Sequence, residues 1–238
     1  MARPRPDLPA LAPPAAAAVG RGSAARGAYE AVRTAVLDCT FLPGMALSEQ
    51  AVSDHLGMSR APVREAFRQL VVEGLLESQP QRGTFVARLN RQKIADAIFA
   101  REAIECAAVG QAARAPLAQR AQLSAIVSRQ AQAAARRDYT THLAADEEFH
   151  QRLLEAAGHP HVWPVLRLAR TGMNRIRHLA IPAVGSHRIA IDQHRLIVEA
   201  IVAGDSAAAV KAMREHVRAP LGFLDAIERE HPGYFELG

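Results

Sequence analysis

Ser59-Arg60-Ala61-Pro62-Val63-Arg64-Glu65-Ala66-Phe67-Arg68-Gln69-Leu70 is the stretch that decides the fold of this chain. Ser59 opens a helix, as N-cap residue types do. Arg60 and Arg64, four residues apart, share one face of it. Val63, Ala66, Phe67 and Leu70 form an apolar stripe on the opposite face. Such a helix packs by one side and offers the other to a groove. Upstream, Ser48 caps a short helix with Glu49 in its first turn and Ala51, Val52 and Leu56 facing inward, and Gly57 supplies the turn into Ser59. Downstream, Leu75 to Ser78 and Thr84 to Ala87 predict two short strands around the turn-rich Gln79-Pro80-Gln81-Arg82-Gly83, a wing. A further helix from Ser23 to about Cys39, with Tyr29, Val32, Val36 and Leu37 at helical spacing, precedes the unit and ends at Pro43-Gly44. Residues 23–88 therefore predict a winged helix-turn-helix.

Guanidinium groups at Arg60 and Arg64 can bind guanine in the major groove of double-stranded DNA or clamp a phosphate. The helix N-terminus at Ser59 adds backbone donors for phosphate. Arg68, one turn further along, reaches the DNA backbone. In the wing, Gly83 permits close approach and Arg82 is long enough for the minor groove or its phosphates. The competing reading is a solvated face whose arginines pair with Glu65 and Glu73. The place of this helix, after a helix and turn and before a wing, favours DNA.

A formal net charge of +5 over 238 residues suits a polyanionic partner. Lys93 and Lys211 are the only lysines, so codon bias toward arginine explains the surplus equally well. Aromatics at 5% and abundant alanine favour helices packed through small residues over a β-sandwich. Cys39 and Cys106 lie in apolar helical contexts without CxxC spacing, which predicts neither a disulfide framework nor a thiolate metal site and fits a reducing cytoplasm. No apolar run approaches the roughly 18 to 20 residues that span a bilayer, and Asp7 and the prolines of residues 1–22 interrupt any signal-peptide core. Those residues read as a disordered, solvated tail.

Beyond a linker at 89–92 the pattern is purely helical. Pro116, Asp138, Gly158-His159-Pro160, Pro182 to Gly185 and Gly204-Asp205 separate six segments, near 92–115, 117–137, 139–157, 160–180, 186–203 and 206–229. The expected fold is thus mainly α: the winged helix-turn-helix, then an all-helical antiparallel bundle of about six helices over 93–230, and a tail over 231–238. In the bundle, Asp146 and His150 stand one helical turn apart, a spacing that can ligate one metal. His194 and His216 sit among apolar-stripe residues and need partners if buried. By spacing alone, four separately satisfied polar residues remain the alternative to a shared metal.

Pro43-Gly44, Leu47-Ser48-Glu49, Ser59 to Ala66, Leu70, Glu73-Gly74-Leu75 and Arg82-Gly83-Thr84 together resemble the N-terminal domain of GntR-family transcription regulators over roughly residues 26–88. The resemblance implies DNA contacts from Ser59, Arg60, Ala61, Pro62, Arg64 and Gly83. Gln50 stands where some relatives carry a DNA-contacting arginine. Arg101 to Glu105, Asp146 to His150, Leu153 to Gly158, His194 to Ile201 with Gly204-Asp205, and His216 resemble the FCD effector domain of the FadR subfamily, and six helices point to its VanR-type branch. Gln193 replaces a common glutamate and His159 a common asparagine. Metal-containing members imply Asp146, His150, His194 and His216 as ligands of a divalent ion, Zn first, with Ni, Mn or Co as alternatives. A vacant coordination position would take a small organic acid. Arg101 stands where the family carries an effector-facing arginine, although an intrahelical ion pair with Glu105 is the competing reading, and Asn174, Arg177 and His178 are further candidates for the cavity.

The reading is a cytoplasmic, metal-dependent, effector-responsive repressor that binds a pseudopalindromic operator as a homodimer, with no membrane partner. Two rivals stand beside it. One is a metal-dependent enzyme with Glu147 or Glu148 as base; the other is a nonspecific DNA-binding protein.

Overall fold

The computed structural model describes Pro9 and residues 21–236, leaving aside the side chains of 21–23, 171–172 and 182–184. Most of the expected N-terminal tail lies outside the described residues. The chain divides into two compact units, Met1–Arg91 with Glu228–Gly238, and Gln92–Ile227.

In the first unit, α1 (Arg21–Leu37), β1 (Ala46–Leu47), α2 (Glu49–Leu56), α3 (Arg60–Val72), β2 (Leu76–Gln79) and β3 (Gly83–Val86) follow one another. The predicted stripe of α3 is buried: Val63, Ala66, Phe67 and Leu70 join Val32, Val36, Phe41 and Val52 in one apolar cluster. Each large side chain of that kind contributes about 1.5–3 kcal/mol on burial. Ser48 Oγ accepts the Ala51 N–H at 3.4 Å at the start of α2, and Gly57, with φ +64°, closes it in the left-handed region that favours glycine. Ser59 occupies the N-cap of α3 but makes no side-chain cap bond, so its exposed hydroxyl is not spent on the helix.

The sheet is antiparallel in the order β1-β3-β2. The strand β1 goes beyond the sequence reading. Its two residues pair Ala46 with Phe85 and Leu47 with Thr84, too short a run to show a period of two. The last residues of the chain belong to this unit too. Leu89 N–H donates to Tyr234 O at 2.8 Å and Glu236 N–H to Leu89 O at 2.9 Å, Arg88 Nε donates to Gly233 O, and Phe235 is only 3% exposed. Arg91 Nε donates to Glu228 at 2.9 Å. The segment expected as a tail is thus laced to the segment expected as a linker.

The helices of the second unit are α4 (Arg91–Ala112), α5 (Leu117–Ala135), α6 (Tyr139–Ala156), α7 (Trp163–Val184), α8 (Ser186–Ala203), α9 (Ser206–Arg218) and α10 (Leu221–Glu230), with a 3-10 turn at Pro160–Val162. The first residue of α4 and the last turn of α10 lie across the division. The sixth expected segment is two helices, because Pro220 has no N–H to continue the ladder of α9. Seven helices result, not the six on which the VanR-type branch was read. Asp138 and Asp205 cap α6 and α9 by accepting the N–H groups of Thr141 and Ala208. The helix α5 packs against α6 and α8, and α8 packs against α9 and α7, which puts α6, α8 and α9 around one interior.

Candidate metal centre and nucleic-acid interface

Four residues named from spacing and resemblance meet in that interior. Asp146 and His150 come from α6, His194 from α8 and His216 from α9, each at most 3% exposed. His194 Nε2 lies 3.3 Å from His216 Nε2 and 3.7 Å from Asp146 Oδ1, and His150 Nε2 lies 4.0 Å from Asp146 Oδ2. Phe149, fully buried, stacks on the His194 ring at 4.1 Å between centroids and holds its plane.

The other ring nitrogens decide what these imidazoles can do. His150 Nδ1–H donates to Glu105, His194 Nδ1–H to Gln130 Oε1 at 2.7 Å, and His216 Nδ1–H to Gln193 Oε1 at 3.1 Å. An ionised carboxylate only accepts, which fixes the tautomer of His150. Gln130 Nε2 faces Asp146 Oδ1 at 3.4 Å, which turns its oxygen toward His194. With every Nδ1 protonated, the three Nε2 lone pairs face one another, an arrangement that repels unless a cation lies between them. Burial holds the His150 pKa down at about 4 and those of His194 and His216 well below their usual value, so all three are neutral at pH 7 as metal ligands must be. The three imidazole donors lie within 4.8 Å of one another and Asp146 Oδ1 lies 3.7 Å from His194 Nε2, spacings compatible with donors each about 2.0–2.2 Å from one ion. The donor set fits a divalent metal.

Four buried charges, Arg101, Glu105, Arg170 and Arg177, surround it. Asp146 Oδ2 accepts from Arg170 Nη2 at 2.5 Å and from Arg177 Nη1, leaving Oδ1 for the centre. Burial alone would raise the Asp146 pKa, but Arg177 and Arg170 outweigh it and keep the carboxyl ionised. Glu105 accepts from Arg101 Nε at 2.7 Å, with Arg170 Nη1 at 3.8 Å, and Arg101 with the other positive charges outweighs burial there as well. Arg101 is fully buried, its pKa lowered by desolvation to about 10, and its Nη1 and Nη2 have no hydrogen-bond partner among the described residues. A narrow cleft reaches Asp146, Arg177, Gln193 and His216, with His142 and Ser186 in its wall.

Sequence reasoning missed Glu105 as more than an ion-pair partner of Arg101, and missed Gln130 and Arg170 altogether. A signal existed for the last two. Gln130 falls in the stripe Leu123, Ile126, Val127 and Ala133, and Arg170 falls between Leu166 and Met173. Polar residues in such positions are buried and need partners. Asn174 donates to Glu147 and is not in the wall of the cleft. Glu147 is engaged by Asn174 and Glu148 by Arg129 at 2.7 Å, so neither carboxylate is the free base that the enzyme reading needs.

On the first unit, Arg60, Ala61, Arg64, Arg68, Arg82 and Gly83 are exposed and Pro62 is half-buried. Arg60 lies 3.6 Å from Glu49 and Arg68 3.7 Å from Glu65, solvated pairs worth about 0–1 kcal/mol, weak enough to yield to phosphate. Glu73 is not their partner. It accepts from the Tyr29 hydroxyl at 2.8 Å and from Gln69, with Arg33 Nε at 3.9 Å. Gly83 has φ +110°, and the Arg82 guanidinium lies 5.8 Å over the Phe85 ring.

The family model described as bacterial regulatory proteins, gntR family, matches residues 24–86, and the FCD domain model matches residues 96–219. An HTH-type transcriptional regulator in an unstable DNA locus of Streptomyces ambofaciens is 35% identical over 211 residues, covering 88% of this chain and 89% of that protein. The chain belongs to the GntR family. This GntR regulator is also 30% identical over 208 residues to the HTH-type transcriptional repressor RspR of Escherichia coli K12, with 87% and 91% of the two chains covered. Among solved structures it superposes on a GntR transcriptional regulator from Rhodococcus sp. RHA1 with TM-score 0.72 at 25% identity, over 85% of this chain and 98% of that one. The fold is shared with E. coli McbR/YncC, TM-score 0.73 at 20% identity, over 86% and 98%. The GntR regulator is a DNA-binding transcription regulator with an FCD domain, and its relatives are regulators, not enzymes. Among its described residues no helix is long and apolar enough to cross a membrane.

Proposed function

We propose that this regulator is a cytoplasmic homodimeric repressor whose affinity for its operator is set by a small carboxylate bound at a divalent metal in the FCD domain. The observation that carries the reading is the set of three imidazoles with every Nδ1 tied to an acceptor and every Nε2 turned to one point beside Asp146. Asp146, His150, His194 and His216 would hold the ion, zinc before nickel, manganese or cobalt. A bound divalent ion supplies a Lewis-acidic docking point for a carboxylate. Three guanidiniums against the two carboxylates Glu105 and Asp146 already leave one positive charge in excess, which favours an anionic effector. Arg101 lends its charge to that attraction; Asn174 contributes after release from Glu147.

On the DNA side, Arg60 and Arg64 read base edges. Ser59, Ala61 and Pro62 bring the N-terminus of α3 against phosphate, and Arg68, Arg82 and Gly83 follow the backbone. One winged helix offers few base contacts, so pairing two on a two-fold axis supplies the specificity of a pseudopalindromic site. An effector regulates only if it binds the DNA-competent and incompetent states unequally.

The test joins metal analysis to DNA binding. The wild type should carry about one divalent ion per chain. Organic acids should change its affinity for a DNA site enriched from a random library, and His150→Ala and His194→Ala should lose both ion and response. A protein free of metal and indifferent to acids would refute the effector half. Equal affinity for all sequences, with steep salt dependence, would make it a nonspecific binder.

A further inference from the structure

The three imidazoles are not oriented alike. Gln193 and Gln130 present neutral amide oxygens to His216 and His194, whereas Glu105 presents a carboxylate to His150. Glu105 is fully buried on α4, an element that supplies none of the four donors, and it divides its two oxygens. One takes the His150 Nδ1–H; the other takes Arg101 Nε at 2.7 Å with Arg170 Nη1 3.8 Å away. Arg170 in turn holds Asp146. His150 Nε2 is meanwhile buried without a hydrogen-bond partner among the described residues. A carboxylate on the far side of an imidazole fixes the ring and makes its remaining nitrogen a stronger donor.

We infer that Glu105 is the positioning residue of the metal centre. It makes His150 the strongest of the three imidazole donors, and through Arg101 and Arg170 it ties the aim of that ring to the guanidinium shell around Asp146. The inference rests on the metal reading above and deepens it. Arg101 and Arg170 serve here as the counterweight that makes a buried carboxylate tolerable: without them the charge would be desolvated and unpaired. Without Glu105, Arg101 would in turn lose the carboxylate that holds its Nε, while Arg170 would keep Asp146.

The test is a zinc titration by chelator competition on folded, metal-stripped full-length protein, with the visible spectrum of the cobalt(II)-loaded protein as a second readout. Glu105→Gln keeps the size and one acceptor oxygen and removes the charge. It should weaken zinc about 10- to 100-fold and shift the cobalt bands. Gln193→Glu, at a half-buried position, places a carboxylate behind His216; combined with Glu105→Gln it should recover a large part of the lost affinity, a rescue that no purely structural role for Glu105 would give. Circular dichroism of the stripped proteins identifies a variant that fails to fold, and Glu105→Asp, which keeps the charge, should then bind zinc more tightly than any neutral variant that does fold. Wild-type zinc affinity and cobalt bands in a folded Glu105→Gln protein would overturn the inference and leave the metal reading standing. A wild type that binds neither ion would overturn both.

Discussion

At the residue scale, the guanidiniums of α3 and of the wing should report differently. On the proposed reading of base edges by Arg64, Arg64→Ala should cost about 1–3 kcal/mol on the enriched DNA site and relax its sequence preference. Arg82→Ala should weaken all sequences alike and flatten the dependence on salt by about one charge. Fluorescence anisotropy across a potassium chloride series separates the two. The buried imidazoles carry a pH signature of their own. In the unfolded chain they protonate near 6.5; in the folded, metal-free protein His150 resists to about 4, and His194 and His216 also stay neutral well below their usual range. Their folded pKa values are depressed, so the unfolded state binds more protons in that interval. Stability is then complete above about pH 6.5 and is lost as pH falls toward 4. Melting in the presence of a chelator should show a falling midpoint between pH 7 and pH 5. A midpoint constant over that range would mean that these rings are solvated. Asp146 and Glu105, held ionised by arginines, enter only at lower pH.

At the scale of elements, the helix α3 is fixed from behind as well as below. Its apolar stripe packs on α1, and Glu73 at its C-cap is gripped by Tyr29 and Arg33 of the same α1. Glu73→Ala removes the acceptor of the Tyr29 hydroxyl and the counter-ion of the buried Arg33 guanidinium, a loss of about 1–3 kcal/mol. The winged helix should melt earlier in that variant while zinc affinity in the second unit is unchanged. The apolar periodicities of α3, α5, α6, α8 and α9 were legible because each helix has one face toward a core. Strand β1 was not, since two residues carry no period, and the break between α9 and α10 was hidden because apolar spacing continues on both sides of Pro220.

At the scale of the whole molecule, the C-terminus is part of the DNA-binding unit. The segment after α10 pairs with Leu89, buries Phe235 and adds bonds from Arg88 and Asn90. Deleting residues 231–238 should therefore destabilise the winged helix, with about 1.5–3 kcal/mol from Phe235 alone. The candidate metal centre, whose side chains come from α4 to α9, should keep the zinc affinity of the full-length protein. Two melting transitions by calorimetry, only the one assigned to the winged helix shifted downward, is the expected outcome; an unchanged thermogram would make this segment an unanchored tail.

The chain's own pattern determined the winged helix-turn-helix, the helical class of the remainder and the placing of Asp146 and His150 on one helix face. Those features rest on local periodicity, caps and a spacing of one helical turn, all properties of neighbouring residues. Tertiary structure alone decided which polar groups serve the centre. Glu105, Gln130 and Arg170 lie on three different helices, and each acts on a side chain 16 to 45 positions away. Nothing in the sequence near them carries that distance. The same holds for the C-terminal segment, whose backbone bonds to Leu89 span more than a hundred residues and depend on where the chain returns.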